Sequence, residues 1–258
     1  MSRRVRLGLF LAAAGVLGGV FTAGLAGLPS YGVYVGPYGD VVNRTVVPER
    51  HSTEAVGAVT FDYRALDTLG EEFILFAAVV GVAALLRLQR GERETQPEDH
   101  IHERRVPETS DALQAFGLAL VGPMVLLGIY VAAHGHLTPG GGFNGGVIAA
   151  SALLVVYLAD EYLALRRLRP MKLIELAEGG GTAGLALVGI GGLLLGGSLF
   201  ENVLPLGTPG SLLSGGTIPV GNMAVGIAVA GGFVLLLSEF LEQAVIVRGR
   251  SGRRPGGE

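Results

Sequence analysis

Ionisable side chains cluster just before the second long apolar segment of the chain. Five of them fall within about three helical turns of one another: Asp62, Arg64, Asp67, Glu71 and Glu72. Ionisable groups at a membrane boundary are costly unless they are paired, solvated or functional. The cluster is therefore a candidate for either ion chemistry or helix capping.

Two interpretations of this acidic cluster stay open, and they can coexist. In the first, Thr68 and Glu71 have the S/T-x-x-E spacing of a capping box that begins the next helix, and Arg64 pairs with Asp62 or Asp67. In the second, Glu71 is a carboxylate at the outer mouth of a path for cations or protons, with Asp62, Arg64 and Asp67 beside it.

A second unusual segment reads HGHLTPGGGFNGG and begins at His134. Pro139 lacks an amide donor and glycines 140–142 tolerate unusual backbone conformations, so a helix must break here. Freed backbone groups near a membrane surface can bind ions, and His136 could relay protons. The alternative is a tight outer turn between antiparallel helices, with both histidines at the membrane interface.

Metal, cofactor and covalent chemistry find little support in the sequence. The chain has no cysteine, which excludes iron–sulfur clusters and thiolate zinc sites. His134 and His136 lack a third ligand nearby in the sequence, so we expect no metal site. We expect no cofactor and no nucleophilic catalysis, and the net charge of −3 disfavours nucleic-acid binding.

Acidic pairs also lie near the ends of later apolar segments. Glu175 and Glu178 are one helical turn apart, as are Glu239 and Glu242, so each pair lies on one helix face. One interpretation is snorkelling or pairing with basic residues such as Lys172. In the other, Glu175 and Glu178 line a cytoplasmic entry for cations.

The elements that position these groups are membrane spans. Half of the 258 residues are hydrophobic and 16% are charged, and the apolar residues form long runs. We predict an all-α integral membrane protein with about six transmembrane helices, at roughly residues 5–28, 69–88, 112–133, 143–163, 173–199 and 221–247. Each provides about 20 residues, enough to cross a hydrocarbon core of about 30 Å.

Basic residues predict the orientation of these spans. With the N-terminus inside, all but three of the 19 basic residues lie on the inner side, the exceptions being Arg44, Arg50 and Arg64. Both termini are therefore predicted to be cytoplasmic. We further predict a two-helix module at residues 1–90, a polar cytoplasmic linker at 91–108, a four-helix domain at 109–248 and a disordered tail at 249–258.

The first motif, FDYRALDTLGEEFILF, resembles the C-terminal part of the large A subunit of Mrp-type multisubunit Na+/H+ antiporters. It is also similar to a small E-type subunit of membrane-bound hydrogenases related to respiratory complex I. The D-x-R-x-x-D-T-L-G-E pattern is carried by Asp62, Arg64, Asp67, Thr68, Leu69, Gly70 and Glu71.

The second motif resembles the B subunit of the same antiporters, over about residues 108–247. The family pattern G-H-x-T-P-G-G-G-F-Q-G-G-V is matched by Gly135, His136, Thr138, Pro139, Gly140, Gly141, Gly142, Phe143, Gly145, Gly146 and Val147. Asn144 stands where the family has Gln, which keeps the amide but shortens its reach. The chain resembles a fusion in which the C-terminal module of the A subunit precedes the whole B subunit.

The resemblance implies an accessory membrane subunit of a monovalent cation (Na+)/proton antiporter in a prokaryotic cell membrane. Its partners would be the other membrane subunits, with Na+ and H+ as the transported ions. Because the only lysine, Lys172, lies outside the spans, the subunit should not pump protons alone. Two alternatives remain: a membrane subunit of a hydrogenase or complex I-like respiratory assembly, and a stand-alone ion channel or carrier.

Overall fold

The computed structural model describes residues 3–28, 36–86, 110–168 and 171–251. For residues 3, 158–168 and 242–251 it describes the backbone alone. The predicted linker at 91–108 and residues 252–258 of the predicted tail lie outside this part of the chain. The described residues are predominantly helical, which confirms the predicted all-α class.

Nine helices follow one another along the described residues. In chain order they are α1 (Arg3–Ala26), α2 (Pro37–Arg50), α3 (Ala55–Ala58), a π-helix π1 (Val59–Tyr63), α4 (Ala65–Leu86), α5 (Asp111–Ala133), α6 (Gly142–Leu168), α7 (Met171–Leu195) and α8 (Ile218–Ser251).

The long apolar helices make the chain a multi-pass integral membrane protein. Among the described residues, α1, α4, α5, α7 and α8 are long and apolar enough to cross a membrane. The remaining predicted span, the fourth at residues 143–163, corresponds to α6, whose apolar part runs over Gly142–Tyr157. The orientation of the termini remains a prediction.

The sequence did not predict the helices α2, α3 and π1. None of them contains the long apolar run that marks a span: α2 is polar and has Pro48 in its interior, α3 has four residues, and π1 has five. α4 begins at Ala65, which is earlier than the predicted boundary at residue 69. Thr68 therefore lies inside the first turn of α4 and cannot be its N-cap residue, so the capping-box interpretation is wrong.

The chain divides into two compact units, residues 1–41 and 42–258. The first contains α1, whose apolar surface is exposed along its length. In the second, α8 is the central helix, because it packs against α4, α5, α6 and α7 and half of its spanning segment is buried. Its neighbours approach closely through small residues, as at Gly128 of α5 and Gly145 of α6.

Three loop segments meet at one end of the second unit, which we call the loop end. They are residues 51–54, 134–141 and 196–217. The amide of Thr53 donates to the carbonyl of His136 at 3.1 Å, and Nδ1 of His51 lies 2.5 Å from the carbonyl oxygen of Gly207. Phe200, which belongs to the third of these segments, and Ile218, which begins α8, are buried in the core.

Candidate functional site

The first acidic motif is split between two environments. Asp62 has a side chain that is only 6% exposed, and its Oδ1 accepts from Nε of Arg50 at 2.8 Å. Its Oδ2 accepts from Nδ2 of Asn202 at 3.0 Å. Both carboxylate oxygens are therefore occupied, and Asp62 joins α2 to the loop between α7 and α8.

Arg50 is held as a permanent cation in this arrangement. Burial by itself lowers the pKa of Arg50, but the hydrogen bond and the negative charge of Asp62 outweigh it and raise that pKa. The guanidinium carbon also lies 5.1 Å from the ring centroid of Tyr63. Burial of Tyr63 raises the pKa of its phenol.

Arg64 and Asp67 form an ion pair with each other three residues apart. Their side chains are 63% and 54% exposed, so the pair is screened by solvent and contributes little stability. Of the two partners proposed for Arg64, the structure selects Asp67. Asp62 is committed to Arg50 instead.

The start of α4 contains two adjacent glutamates with opposite surroundings. Glu71 is exposed, whereas Glu72 is 3% exposed and its Oε2 has no hydrogen-bond partner among the described residues. Thr68 is also buried, and its hydroxyl donates to the carbonyl of Thr60 in π1 at 2.6 Å. This bond ties the first turn of α4 to the π-helix before it.

A cavity of about 130 Å³ joins the two motifs. Thr68, Glu71 and Glu72 line it from α4, and Phe143 with glycines 140–142 lines it from the second motif. The wall is completed by residues of α3, π1 and α8, among them Gly57, Thr60, Phe61, Asn222 and Val225. Carboxylates and backbone carbonyls are oxygen ligands that suit hard cations.

The glycines of the second motif are required by the backbone and by close packing. Gly140 and Gly141 have φ of +147° and +106°, which L side chains rarely adopt. The amide of Gly142 donates to Oδ1 of Asn222 at 2.8 Å. A Cβ on Gly142 would lie 3.0 Å from the amide nitrogen of Gly226 and closer still to the carbonyl oxygen of Asn222.

Asn222 is a central residue of the site that sequence reasoning missed. It lies in the first turns of α8 with 0% exposure, and its Nδ2 donates to the carbonyl of Ile218 at 3.3 Å. The sequence signal was a lone amide side chain inside the apolar segment that follows Ile218. Such a residue in a span usually bonds to a neighbouring segment.

The two histidines of the second motif differ in their contacts. His136 is 0% exposed, and its carbonyl accepts from Ser52 Oγ at 2.8 Å as well as from the amide of Thr53. Burial lowers the pKa of the His136 ring, and the backbone at Ser211 and Leu212 offsets part of that effect. His134 instead stacks on Tyr130 with ring centroids 4.0 Å apart.

The remaining motif residues make local hydrogen bonds and close packing contacts. Nδ2 of Asn144 donates to the carbonyl of Gly140 at 3.2 Å, and Asn144 does not line the cavity. Thr138 Oγ1 donates to the carbonyl of His134 at 3.4 Å. Gly145 and Gly146 are buried where helices pack closely. A Cβ added at Gly145 would lie 2.7 Å from the amide nitrogen of Ala132, and one added at Gly146 would lie 2.7 Å from the carbonyl oxygen of Gly226.

The acidic pair on α7, Glu175 and Glu178, does not line the cavity. Glu175 is exposed, whereas Glu178 is 6% exposed and its Oε1 has no hydrogen-bond partner among the described residues. Within the described ranges, no three His, Asp or Glu side chains are grouped so that they could hold a metal ion.

Comparison with known proteins places this architecture among membrane subunits. Residues 112–235 match a family described as a domain related to the MnhB subunit of Na+/H+ antiporter. An uncharacterised protein of Methanocaldococcus jannaschii is 32% identical over 199 residues, 69% of this chain and 72% of that protein. The B subunit of the Na+/H+ antiporter of Bacillus subtilis is 34% identical over 90 residues, 34% of this chain and 62% of that protein.

Two solved complexes contain chains of the same fold. One chain of the membrane-bound sulfane sulfur reductase, an archaeal respiratory membrane complex, matches with a TM-score of 0.71 and 32% identity, over 92% of this chain and 98% of that chain. A chain of the Mrp complex from Dietzia sp. DQ12-45-1b matches with a TM-score of 0.69 and 25% identity, over 93% of this chain and 26% of that chain.

Proposed function

The chain belongs to the family of membrane proteins related to the MnhB subunit of Na+/H+ antiporters, and on this premise we propose that it is an accessory membrane subunit of a multisubunit monovalent cation/proton antiporter. Its role would be to complete the assembly and to contribute to the ion path. The subunit itself would be non-catalytic. Its location would be the cell membrane of a prokaryote.

The observation that carries this proposal is the cavity shared by the two motifs. Glu71 and Glu72 face it from α4, and the broken backbone at glycines 140–142 faces it from the other side. Broken helices with free carbonyls beside carboxylates are the usual ion-binding element of membrane transporters. The cavity supports a cation-contacting role at the loop end of the bundle.

The surface of the chain supports an obligate partner role. Large apolar side chains are exposed on several spans, including Ile74 at 72%, Leu126 at 68% and Leu176 at 68%. Such faces require lipid or the spans of other subunits. Since the sole lysine of the chain is Lys172, at the start of α7, the lysines that serve proton pumping would belong to partner subunits.

The test is purification of a tagged chain in mild detergent, with mass spectrometric identification of the proteins that co-purify. We expect the other membrane subunits of a Na+/H+ antiporter to co-purify with it. The same chain purified alone and reconstituted in liposomes should move neither Na+ nor H+. Recovery of the chain without any other antiporter protein, or transport by the chain alone, would contradict the proposal.

A second candidate function rests on one observation. The match to the archaeal respiratory complex covers 98% of that chain at 32% identity, so the whole architecture occurs in an assembly coupled to electron transfer. The chain would then be a membrane subunit of a respiratory complex. Co-purification of iron–sulfur or hydrogenase subunits would select this candidate over the antiporter.

A further inference from the structure

Glu72 is buried in the wall of the cavity without a counter-charge. It is 3% exposed, and neither of the two ion pairs found among the described residues includes it. The adjacent residue Glu71 carries a second carboxylate rather than a compensating positive charge. A carboxylate inside a span is expensive unless it binds a proton or a cation.

Glu178 is a second buried carboxylate that forms no ion pair with the described side chains. It is 6% exposed and also absent from both ion pairs. Glycines of α8 make room for it: a Cβ on Gly231 would lie 2.6 Å from the Glu178 amide nitrogen, and one on Gly232 would lie 3.7 Å from its Cγ. Glu175, one turn earlier on α7, carries a further carboxylate.

The two acids are connected through the face of α4 that packs on α8. A Cβ added at Gly232 would lie near Glu178 and also 3.9 Å from Cδ2 of Leu75. Leu75 lines the cavity together with Glu72. Along α8, the cavity contacts Asn222 and Val225, and Gly232 follows Val225 by about 10 Å at 1.5 Å per residue. Glu178 therefore lies deeper in the bundle than the cavity.

The surroundings of Glu178 suit a proton better than a metal cation. Glu178 lies against Gly231 and Gly232 of α8, and a Cβ added at Gly232 would also lie 3.3 Å from Cγ2 of Val79. The Thr182 hydroxyl donates to the Glu178 backbone carbonyl at 3.0 Å, not to its carboxylate. Na+ needs several oxygen ligands, whereas a proton needs one carboxylate oxygen. Ser238, seven residues beyond Gly231, adds a buried hydroxyl on the same face of α8.

We infer that Glu72 and Glu178 are successive proton-carrying groups on a path that leads from the cavity into the interior of the helix bundle. In each step an O–H bond forms on one carboxylate oxygen as the proton leaves water or the preceding carboxyl group. The electrons of that bond come from the accepting oxygen, so no redox partner is needed. This inference rests on the proposed antiporter function and assigns a proton path to the same subunit.

The first test detects protonation of Glu72 and Glu178 by chemical labelling and does not depend on a transport assay. Membranes that contain the assembled complex are treated with dicyclohexylcarbodiimide, which adds covalently to protonated buried carboxyl groups, and labelled peptides are identified by mass spectrometry. We expect adducts at Glu72 and Glu178 that excess Na+ does not suppress. Suppression by Na+ would make the site a cation site and overturn the inference, as would the absence of adducts.

The second test measures proton movement in vesicles that contain the assembled complex. Glu178→Gln and Glu72→Gln should each lower the initial proton flux at least about tenfold, which corresponds to about 1.4 kcal/mol in the barrier. Asp111→Asn removes an exposed carboxylate at the start of α5 and should leave the flux near the wild-type value. Unchanged flux in Glu178→Gln would overturn the inference.

Failure of this inference is distinguishable from failure of the proposed function. If antiporter subunits co-purify with the chain but Glu178 is neither labelled nor needed for proton flux, the inference alone fails. If no other antiporter protein co-purifies, the proposed function fails, whatever the labelling of Glu72 and Glu178 shows.

Discussion

Asp62 and Glu71 belong to one sequence motif but differ in their surroundings. Both oxygens of Asp62 accept hydrogen bonds, from Arg50 and Asn202, which leaves them committed to protein groups. Glu71 has no such partner among the described contacts, is exposed and lines the cavity. At the scale of single residues, Asp62 is thus committed to contacts within the protein, and Glu71 is the exposed carboxylate of the motif that also lines the cavity.

Replacement of Glu71 tests that assignment. We expect Glu71→Ala to lower Na+-dependent antiport in vesicles at least about tenfold without dissociating the complex, because the variant removes a carboxylate from the cavity wall and leaves α4 intact. Transport is measured as Na+-dependent proton movement, and assembly is measured by co-purification. Asp111→Ala is the matched control on α5. Unchanged transport in Glu71→Ala would show that the Glu71 carboxylate is not needed for ion transport.

The burial of His136 predicts that the stability of the loop end depends on pH. Its pKa in the folded chain is lowered by burial, below the value of about 6.5 expected in the unfolded chain. Between these two values the unfolded chain binds more protons, so stability is full above about pH 6.5 and decreases as the pH falls through that value.

We therefore expect the protein in detergent to unfold at a lower temperature at about pH 5.5 than at about pH 7.5. The variant His136→Gln should lose that part of the pH dependence, and His134→Gln should keep it. Thermal unfolding monitored at both pH values checks the prediction. An equal pH dependence in His136→Gln and the wild type would refute it.

At the scale of elements, the contact between α6 and α8 decides where the second motif sits. Gly142 begins α6 and lies against the backbone of α8, and its amide is bonded to the buried side chain of Asn222. The turn that the proline and glycines create is thus fastened to the central helix of the bundle. The cavity depends on this contact because Gly142 and Asn222 both line it.

Gly142→Ala should disrupt this contact. The new Cβ would overlap the carbonyl group of Asn222, and overpacking of this kind costs about 1–3 kcal/mol. We expect a lower unfolding temperature in detergent and a lower yield of folded protein. Gly180→Ala is the control, because its Cβ would meet nothing within 4 Å and Ala favours a helix interior. Equal unfolding temperatures for the two variants would show that α6 can shift without cost.

At the scale of the whole molecule, the apolar spans place the chain in a bilayer, and the basic residues predict its orientation. The absence of cysteine makes that orientation measurable with single introduced cysteines. Lys172, at the start of α7, and Thr208, in the loop after α7, are both exposed and lie toward opposite ends of that helix.

We expect a membrane-impermeant maleimide to label Thr208→Cys in intact cells and to label Lys172→Cys only in inverted vesicles. The reason is that Lys172 belongs to the basic segments predicted to be cytoplasmic. The cysteine-free chain is the control for background labelling. The reverse pattern would invert the predicted orientation and place both termini outside.

Much of the architecture could be predicted from the sequence because its causes are local. A long uncharged apolar run must be a helix in lipid, since its backbone has no other way to satisfy its hydrogen bonds. The break between α5 and α6 follows from Pro139 and the glycines beside it. The fold class followed from the apolar runs, and the family resemblance followed from the residues of the two motifs.

Tertiary structure alone decided which acid of each pair is buried and where the motifs meet. Glu71 and Glu72 are neighbours in the sequence, and Glu175 and Glu178 are one turn apart, yet in each pair only the second is buried. Burial depends on where α8 packs, which no local pattern specifies. Asn222 illustrates the same limit, because its importance comes from a bond to Gly142, 80 residues away in the chain. Long-range packing creates the cavity, so the sequence determined its components but not their arrangement.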